Sequence, residues 1–380
     1  MALKGIKVIE LAGLAPAPYC GLILSDFGAN VIRVDKTKTA DNIDKLCRGK
    51  RSIAIDLKNQ SGVNTLKRLC GSADVLIEPF RKGVMEKLGL GPRELLSDNP
   101  RLIYARLTGY GQSGVLSERA GHDINYLAIS GVLSRLGRKD GNPHPPVNLL
   151  ADFAGGGLTC ALGIAMALFE RSNSGKGQVI DANMVEGAAY IASFLWATKL
   201  GGLVQGGPRG TNRLDGGAPF YNTYCTKDGK YIAVGALEPK FYAQFIKGLG
   251  LDPDEAFQMN NFDEMRDKFS KIFATKTRDE WSAIFDDTDA CVTPILEMDE
   301  AANHPHNTSR NYFKVDKDGA HFPGPAPSLS RTPATVKTTH QPSVGEHTLE
   351  VLMEAGFKSE EVEQLATQGA IEQCKPESKL

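Results

Sequence analysis

No charge of one sign dominates this chain. Its 44 lysines and arginines stand against 45 aspartates and glutamates, so no global field would hold it on nucleic acid, and any anionic ligand must be met by local cations. Cysteine is sparse: seven residues, at positions 20, 47, 70, 160, 225, 291 and 374, form no C-x-x-C pair. Such a scattered, odd set argues against a zinc site or a disulfide framework and implies a reducing compartment. No apolar run approaches the ~20 residues that cross a bilayer, so no membrane span is expected. Met1 to Lys7 offers neither the apolar core of a secretory signal nor an Arg-rich amphipathic helix. The turn Ala12-Gly13-Leu14-Ala15-Pro16 lacks the G-x-G-x-x-G that seats a pyrophosphate, which disfavours an NAD-dependent dehydrogenase.

What is there is alternation. Ile6 to Leu11 reads as a strand, Pro18 to Phe27 as a helix stopped by Gly28, and Asn30 to Val34 as a second strand. Strands at Ser52 to Asp56, Asp74 to Ile77 and Leu102 to Leu107 follow, with a helix over Val63 to Cys70. This pattern predicts an α/β layered domain on a Rossmann-like parallel sheet. A long helix is expected from Phe153 to Arg171, its Gly155, Gly156 and Gly157 inviting close backbone approach, then a strand from Gln178 to Ala182.

Turn residues crowd 201–215 and prolines crowd 322–342, which reads as two linkers, 201–215 and 321–334. Between them, 216–320 reads as a smaller α+β domain. It opens on a hairpin, Phe220 to Thr226 and Tyr231 to Ala236, turned by Asp228-Gly229. Helices at Phe241 to Leu249 and Arg278 to Phe285 and a strand at Cys291 to Leu296 complete it. The large domain then comprises 1–200 completed by 335–380, where His347 to Ala355 and Ser359 to Leu365 have helical spacing and Ser359-Glu360-Glu361 reads as a cap. Ser378-Lys379-Leu380 matches the tripeptide that a peroxisomal import receptor reads at a free C-terminus.

Ionisable residues stand beside glycines, each at a predicted loop–helix junction, in three segments: Gly121-His122-Asp123-Ile124-Asn125-Tyr126, Leu150-Ala151-Asp152-Phe153-Ala154-Gly155-Gly156-Gly157, and Gly235-Ala236-Leu237-Glu238-Pro239. Helix N-termini offer unpaired N–H groups to developing negative charge. Taken singly, Asp152 and Glu238 also read as N-caps, and His122 as a surface residue.

Longer segments carry a resemblance. They include Asp26-Phe27-Gly28-Ala29, Arg48-Gly49-Lys50-Arg51-Ser52, Glu78-Pro79-Phe80-Arg81-Lys82-Gly83-Val84, Ala105-Arg106-Leu107-Thr108-Gly109-Tyr110-Gly111, Asn148-Leu149-Leu150-Ala151-Asp152-Phe153 and Asp181-Ala182-Asn183-Met184-Val185-Glu186-Gly187. Together with the segment around His122, these resemble the family III coenzyme A transferases and racemases over nearly the whole chain. The resemblance implies an interlocked homodimer in which His122 and Asp152 are the catalytic bases and Glu238 of the other subunit pairs with the histidine. It implies a racemase of 2-methyl-branched acyl-CoA thioesters, serving peroxisomal β-oxidation and bile acid synthesis, with a mitochondrial pool ranked second.

The chemistry accounts for those residue types. Inverting a carbon that bears one hydrogen needs one base to take the proton from one face of a planar enolate and an acid to return it to the other. The carboxyl group must start one direction protonated, so its pKa must be raised, as burial would do. N–H groups at the helix start after His122, that of Asp123 included, are expected to face the enolate oxygen. No resident cofactor or metal is implied, since coenzyme A enters as part of the substrate. By the same resemblance its anionic head lies along Lys36, Ile55, Asp56, Leu57, Lys58, Arg81 and Lys87, with Tyr126 near the pantetheine end and Gly121, Asp123, Ile124 and Asn125 also binding the substrate. Lys36, where relatives commonly carry arginine, keeps the charge but not the bidentate fork. Two rivals remain: a family III CoA transferase with Asp152 as nucleophile, and a non-catalytic acyl-CoA binding protein.

Overall fold

The computed structural model describes residues 1–39, 44–199, 206–259 and 261–374. Part of the 201–215 linker and the tripeptide Ser378-Lys379-Leu380 therefore lie outside the described residues. The chain divides into two compact units: residues 1–130, 147–191 and 314–380 form the first, and 131–146 with 192–313 form the second. The sequence reading placed 131–146 and 192–200 in the large domain. Their assignment to the second unit depends on contacts distant in sequence, which local pattern does not carry.

In the first unit, β1 (Lys7–Leu11), α1 (Pro16–Asp26) and β2 (Asn30–Asp35) make a βαβ unit. Proline opens α1, where its missing N–H costs nothing, and Gly28 at φ 109 turns the chain out of it. β3 (Arg51–Ile55), α2 (Gln60–Cys70), β4 (Val75–Glu78), α3 (Val84–Lys87), α4 (Pro92–Asp98) and β5 (Ile103–Thr108) follow. α5 (Asp123–Ile129) leads towards a wide-turned π-helix, Leu149–Leu158, which runs directly into α6 (Thr159–Ser174), β6 (Val179–Asn183) and α7 (Met184–Ile191).

The sheet has seven strands. From the edge strand Ile371–Glu372 they run β3, β2, β1, β4, β5, β6. Every pairing among β1 to β6 is parallel. The edge strand is the exception: Ile371 pairs with Ile55 antiparallel, so the sheet is mixed and not wholly parallel as expected. All of β4 and β5 is buried, as in sheets covered on both faces. Alternate residues serve opposite cores: Ile9 packs with Leu66 and Leu352, while Val8 packs with Leu24 and Ile164.

The tail is stitched to β3. Ala54 donates its N–H to Thr348 Oγ1 at 3.1 Å, and Arg51 meets Glu350 at 2.8 Å. The last helix, Ser359–Thr367, is capped through the Lys358 N–H on Glu361 at 2.7 Å, one residue earlier than the expected cap. His321–Pro323, expected to be linker, pairs with Phe313–Val315 as a short ribbon.

Joined, the π-helix and α6 make a 26-residue helix, Leu149–Ser174, apolar and long enough to cross a bilayer by length and composition. Core helices share that length and composition, and this one packs against α1, α7, β5 and β6. The glycines allow it to lie close to its neighbours: a Cβ on Gly155 would meet the Ala188 N–H at 2.6 Å, and one on Gly157 the Pro16 carbonyl at 2.7 Å. The close approach foreseen for these glycines is thus to α7 and α1.

The second unit holds a three-stranded antiparallel sheet, Tyr221–Cys225, Tyr231–Gly235 and Val292–Pro294. Helices Pro239–Gly248, Phe262–Phe273 and Arg278–Phe285 enclose an aromatic core of Phe220, Phe245, Phe269, Phe273 and Trp281. Gly229, at φ 73, makes the hairpin turn.

Candidate active site

In an open α/β sheet, ligands collect beyond the carboxyl ends of the strands where the chain order reverses. That point lies between β1 and β4, and two cavities open there. One, of about 340 Å³, is lined from the ends of β1, β4 and β5 by Gly13, Arg81 and Thr108, and by Tyr110, Arg119, Gly121, His122, Tyr126 and Asp152. The other, of about 350 Å³, is lined by Asp35, Lys36, Ile55, Asp56, Leu57 and Lys58 at the ends of β2 and β3. Ala12 and Phe80 line both.

His122 is the N-cap residue of α5, held extended at φ −134. Its N–H donates to Asn125 Oδ1 at 3.1 Å, and its carbonyl accepts the N–H of Asn125 at 2.8 Å. Asp123 and Ile124, at the first two helical positions, have no intrahelical acceptor for their own N–H groups. The Tyr126 hydroxyl donates to the Gly121 carbonyl, and the ring meets Tyr110 edge-on at 5.0 Å. Burial, with the Asp152 charge second, pushes the Tyr126 phenol up to about 12, so it stays a donor. Glycine at 109 is required by this packing, since a Cβ there would overlap the Tyr126 ring.

Asp152 sits one turn into the π-helix, and the N-cap position belongs to Asn148. The N-cap alternative for Asp152 is thereby removed. Phe153 donates to the Asn148 carbonyl at 3.3 Å, the five-residue reach of a π-turn. The Asp152 carboxyl is buried, and Asn148 Nδ2 donates to its Oδ2 at 3.1 Å. Burial first and the Asp123 charge second raise its pKa to about 6, against the Asn148 amide and the His122 charge, which pull it down. An imidazole and a carboxyl group whose pKa is raised to about 6 therefore line one cavity, a set able to exchange protons with a bound substrate.

The expected coenzyme A residues divide. Lys36, Ile55, Asp56, Leu57 and Lys58 gather in the second cavity and Arg81 in the first, whereas Lys87, exposed at the end of α3, lines neither. Around His122, Gly121 and Tyr126 line the cavity, Ile124 is exposed, Asn125 is bonded back to His122, and Asp123 is buried beneath. Glu238 lies in the second unit, exposed, as the residue before helix Pro239–Gly248. Its charge, after burial, raises the nearby Cys291 thiol. Asn148 and Tyr110 were given no role by the sequence reading. The spacing of Asn148, four residues ahead of Asp152 in a helical stretch, was the signal available for it.

A larger cavity of about 760 Å³ lies in the second unit, but its arginines are engaged, Arg138 with Asn222 and Thr223 and Arg135 with the Gly207 carbonyl.

Residues 3–348 match the family model described as CoA-transferase family III. The chain is 59% identical to the mouse (Mus musculus) protein named alpha-methylacyl-CoA racemase and 56% identical to the human (Homo sapiens) protein of that name, each over all of both chains. Among solved structures, a CAIB/BAIF family protein from Brucella suis superposes with a TM-score of 0.80 at 25% identity, covering 93% of this chain and 99% of its own.

Proposed function

The chain belongs to CoA-transferase family III, and from that membership we propose that it is an isomerase interconverting the 2R and 2S forms of 2-methyl-branched acyl-CoA thioesters. The observation that carries this reading is the shared cavity of His122 and Asp152, with Asp152 raised to about 6. The names of the two relatives more than half identical to it support the same activity.

In one direction neutral His122 takes the α-proton, the thioester becomes a planar enolate, and protonated Asp152 delivers a proton to the opposite face. The reverse exchanges their roles. Each positioned group contributes roughly 10² to 10⁴-fold. The N–H groups of Asp123 and Ile124 receive the enolate oxygen. Coenzyme A extends past Phe80 into the second cavity, its phosphates met by Lys36 and Lys58, and no resident cofactor takes part.

The reading includes a homodimer in which Glu238 of the partner subunit pairs with His122 and fixes its tautomer. Leu158, Leu162, Met166 and Phe169, exposed at helical spacing on the first unit, support an interface there. It also includes a peroxisomal location, resting on Ser378-Lys379-Leu380, a second, mitochondrial pool, and a place in β-oxidation and bile acid side-chain shortening.

The test is incubation of one pure epimer of a 2-methylacyl-CoA in deuterated water with no acceptor acid. Deuterium at the α-carbon with loss of optical purity is expected. Turnover that appears only with an acceptor acid, without label, would instead establish transfer through an Asp152 anhydride.

A further inference from the structure

Asp123 is 1% exposed, yet its carboxylate is aimed across a gap in sequence. Its Oδ1 accepts the N–H of Ala151 at 2.9 Å and the N–H of Asp152 at 2.8 Å. The first N–H groups of the π-helix have no acceptor within it, so Asp123 serves as its cap from another element. Asp123 is also the residue after His122, at the first position of α5. One side chain therefore ties the backbone of one base to the turn that carries the other.

We propose that the Asp123 side chain is a positioning residue for proton transfer: it clamps the Asp152 backbone to the His122 turn and so fixes the span between the two bases. Its consequence for turnover rests on the racemase reading, while the clamp itself is measurable without turnover. The two carboxyl groups also interact: after burial, the Asp123 charge is the second cause that raises the Asp152 pKa. The negative charge of Asp123 then favours the protonated form of Asp152, the form needed to start one direction.

The other charged groups around Asp152 are few. His122 and Tyr126 face it from α5 and its cap. Arg81 and Arg119 line the same cavity. Of the other packed elements, α1 carries Tyr19, Cys20 and Asp26, and α7 carries Glu186 and Tyr190. Arg106 on β5 is held by Glu78 and Glu86, and Asp181 on β6 accepts the Gln112 N–H. On α6, Glu170 accepts from Ser174 and Arg171 pairs with Asp74.

The experiment uses the full chain with ¹³C-labelled aspartate carboxyls, the Asp152 resonance being assigned by its loss in Asp152→Asn. Asp123→Asn keeps an acceptor oxygen and loses the charge. Its Asp152 titration midpoint is expected to fall by about one pH unit, with the KM for a 2-methylacyl-CoA within about twofold. Asp123→Ala loses the clamp, and α-hydrogen exchange is expected to fall roughly ten- to hundredfold with KM again little changed. If Asp123→Ala does not fold, Asp123→Ser, whose side chain is too short to reach both N–H groups, replaces it, and Asp123→Asn decides the charge effect. An unmoved midpoint in Asp123→Asn, or full exchange in folded Asp123→Ala, overturns the proposal. If the unaltered protein exchanges no α-hydrogen, the racemase reading fails, and amide hydrogen-exchange protection at Ala151 and Asp152, expected to be lost in Asp123→Ala and kept in Asp123→Asn, still decides the clamp.

Discussion

Asn148 Nδ2 stands 3.1 Å from Asp152 Oδ2, so the side chain at the start of the π-helix donates to the carboxyl one turn along. A donor of this kind stabilises the ionised form. Asn148 also holds φ 60, a left-handed conformation that glycine adopts without strain and alanine does not. Asn148→Gly therefore removes the hydrogen bond alone. The Asp152 midpoint is expected to rise above about 6, and the matching limb of the kcat/KM profile to move in the same direction. Coincident profiles for the two proteins would refute the assignment.

The same raised carboxyl costs stability. Asp152 binds its proton more tightly folded than unfolded, so between the ordinary value near 3.8 and about 6 the native state holds the extra proton. Stability contributed by this group therefore falls as pH rises through that window and stays low above it. Asp152→Asn should be more stable than the unaltered protein at pH 7.5, by roughly 1–2 kcal/mol after discounting for partial solvent screening. The gap should close near pH 4. Denaturant melts at the two pH values read it, and an equal gap at both would refute the linkage.

Legibility in the sequence followed the range of the interaction. β1, α1 and β2 were readable because an apolar run, an opening proline and Gly28 lie within one βαβ unit. Strand order was not, and neither was Ile371–Glu372, two residues whose strand character comes from pairing with Ile55 and Ala54. Helix Phe262–Phe273 went unread although Phe262, Met265, Phe269 and Phe273 have helical spacing and the Asn261 side chain caps it. At the site, pattern alone left His122 and Asp152 with mundane alternatives, and only family resemblance joined them. The Asp123 carboxylate was invisible to both, because its partners lie 28 and 29 positions away.

The second cavity makes a claim about coenzyme A. Lys36 and Lys58 line it beside the ends of β2 and β3, while Lys87 lies outside both cavities. Lys36→Ala or Lys58→Ala should raise the KM for an acyl-CoA by about three- to tenfold with kcat nearly unchanged, more steeply at low ionic strength. Lys87→Ala should stay within about twofold. Equal effects from all three lysines would place the phosphates elsewhere.

Lys50 Nζ is fully buried against both oxygens of Glu10, at 2.9 and 2.8 Å, and also donates to the Pro18 carbonyl at 2.8 Å. The pair holds the end of β1 against the first turn of α1, and Gly21 leaves room for it, since a Cβ there would overlap Glu10 Oε2. Removing one partner strands the other without solvent. Lys50→Met should therefore destabilise the fold by about 3–5 kcal/mol. Adding Glu10→Gln removes the stranded charge and should recover a substantial part of that loss, so the double variant should be more stable than Lys50→Met alone. Urea unfolding of the unaltered protein and the two variants measures this. If the double variant is the least stable, Glu10 has a buried partner other than Lys50, and the ion pair does not anchor α1.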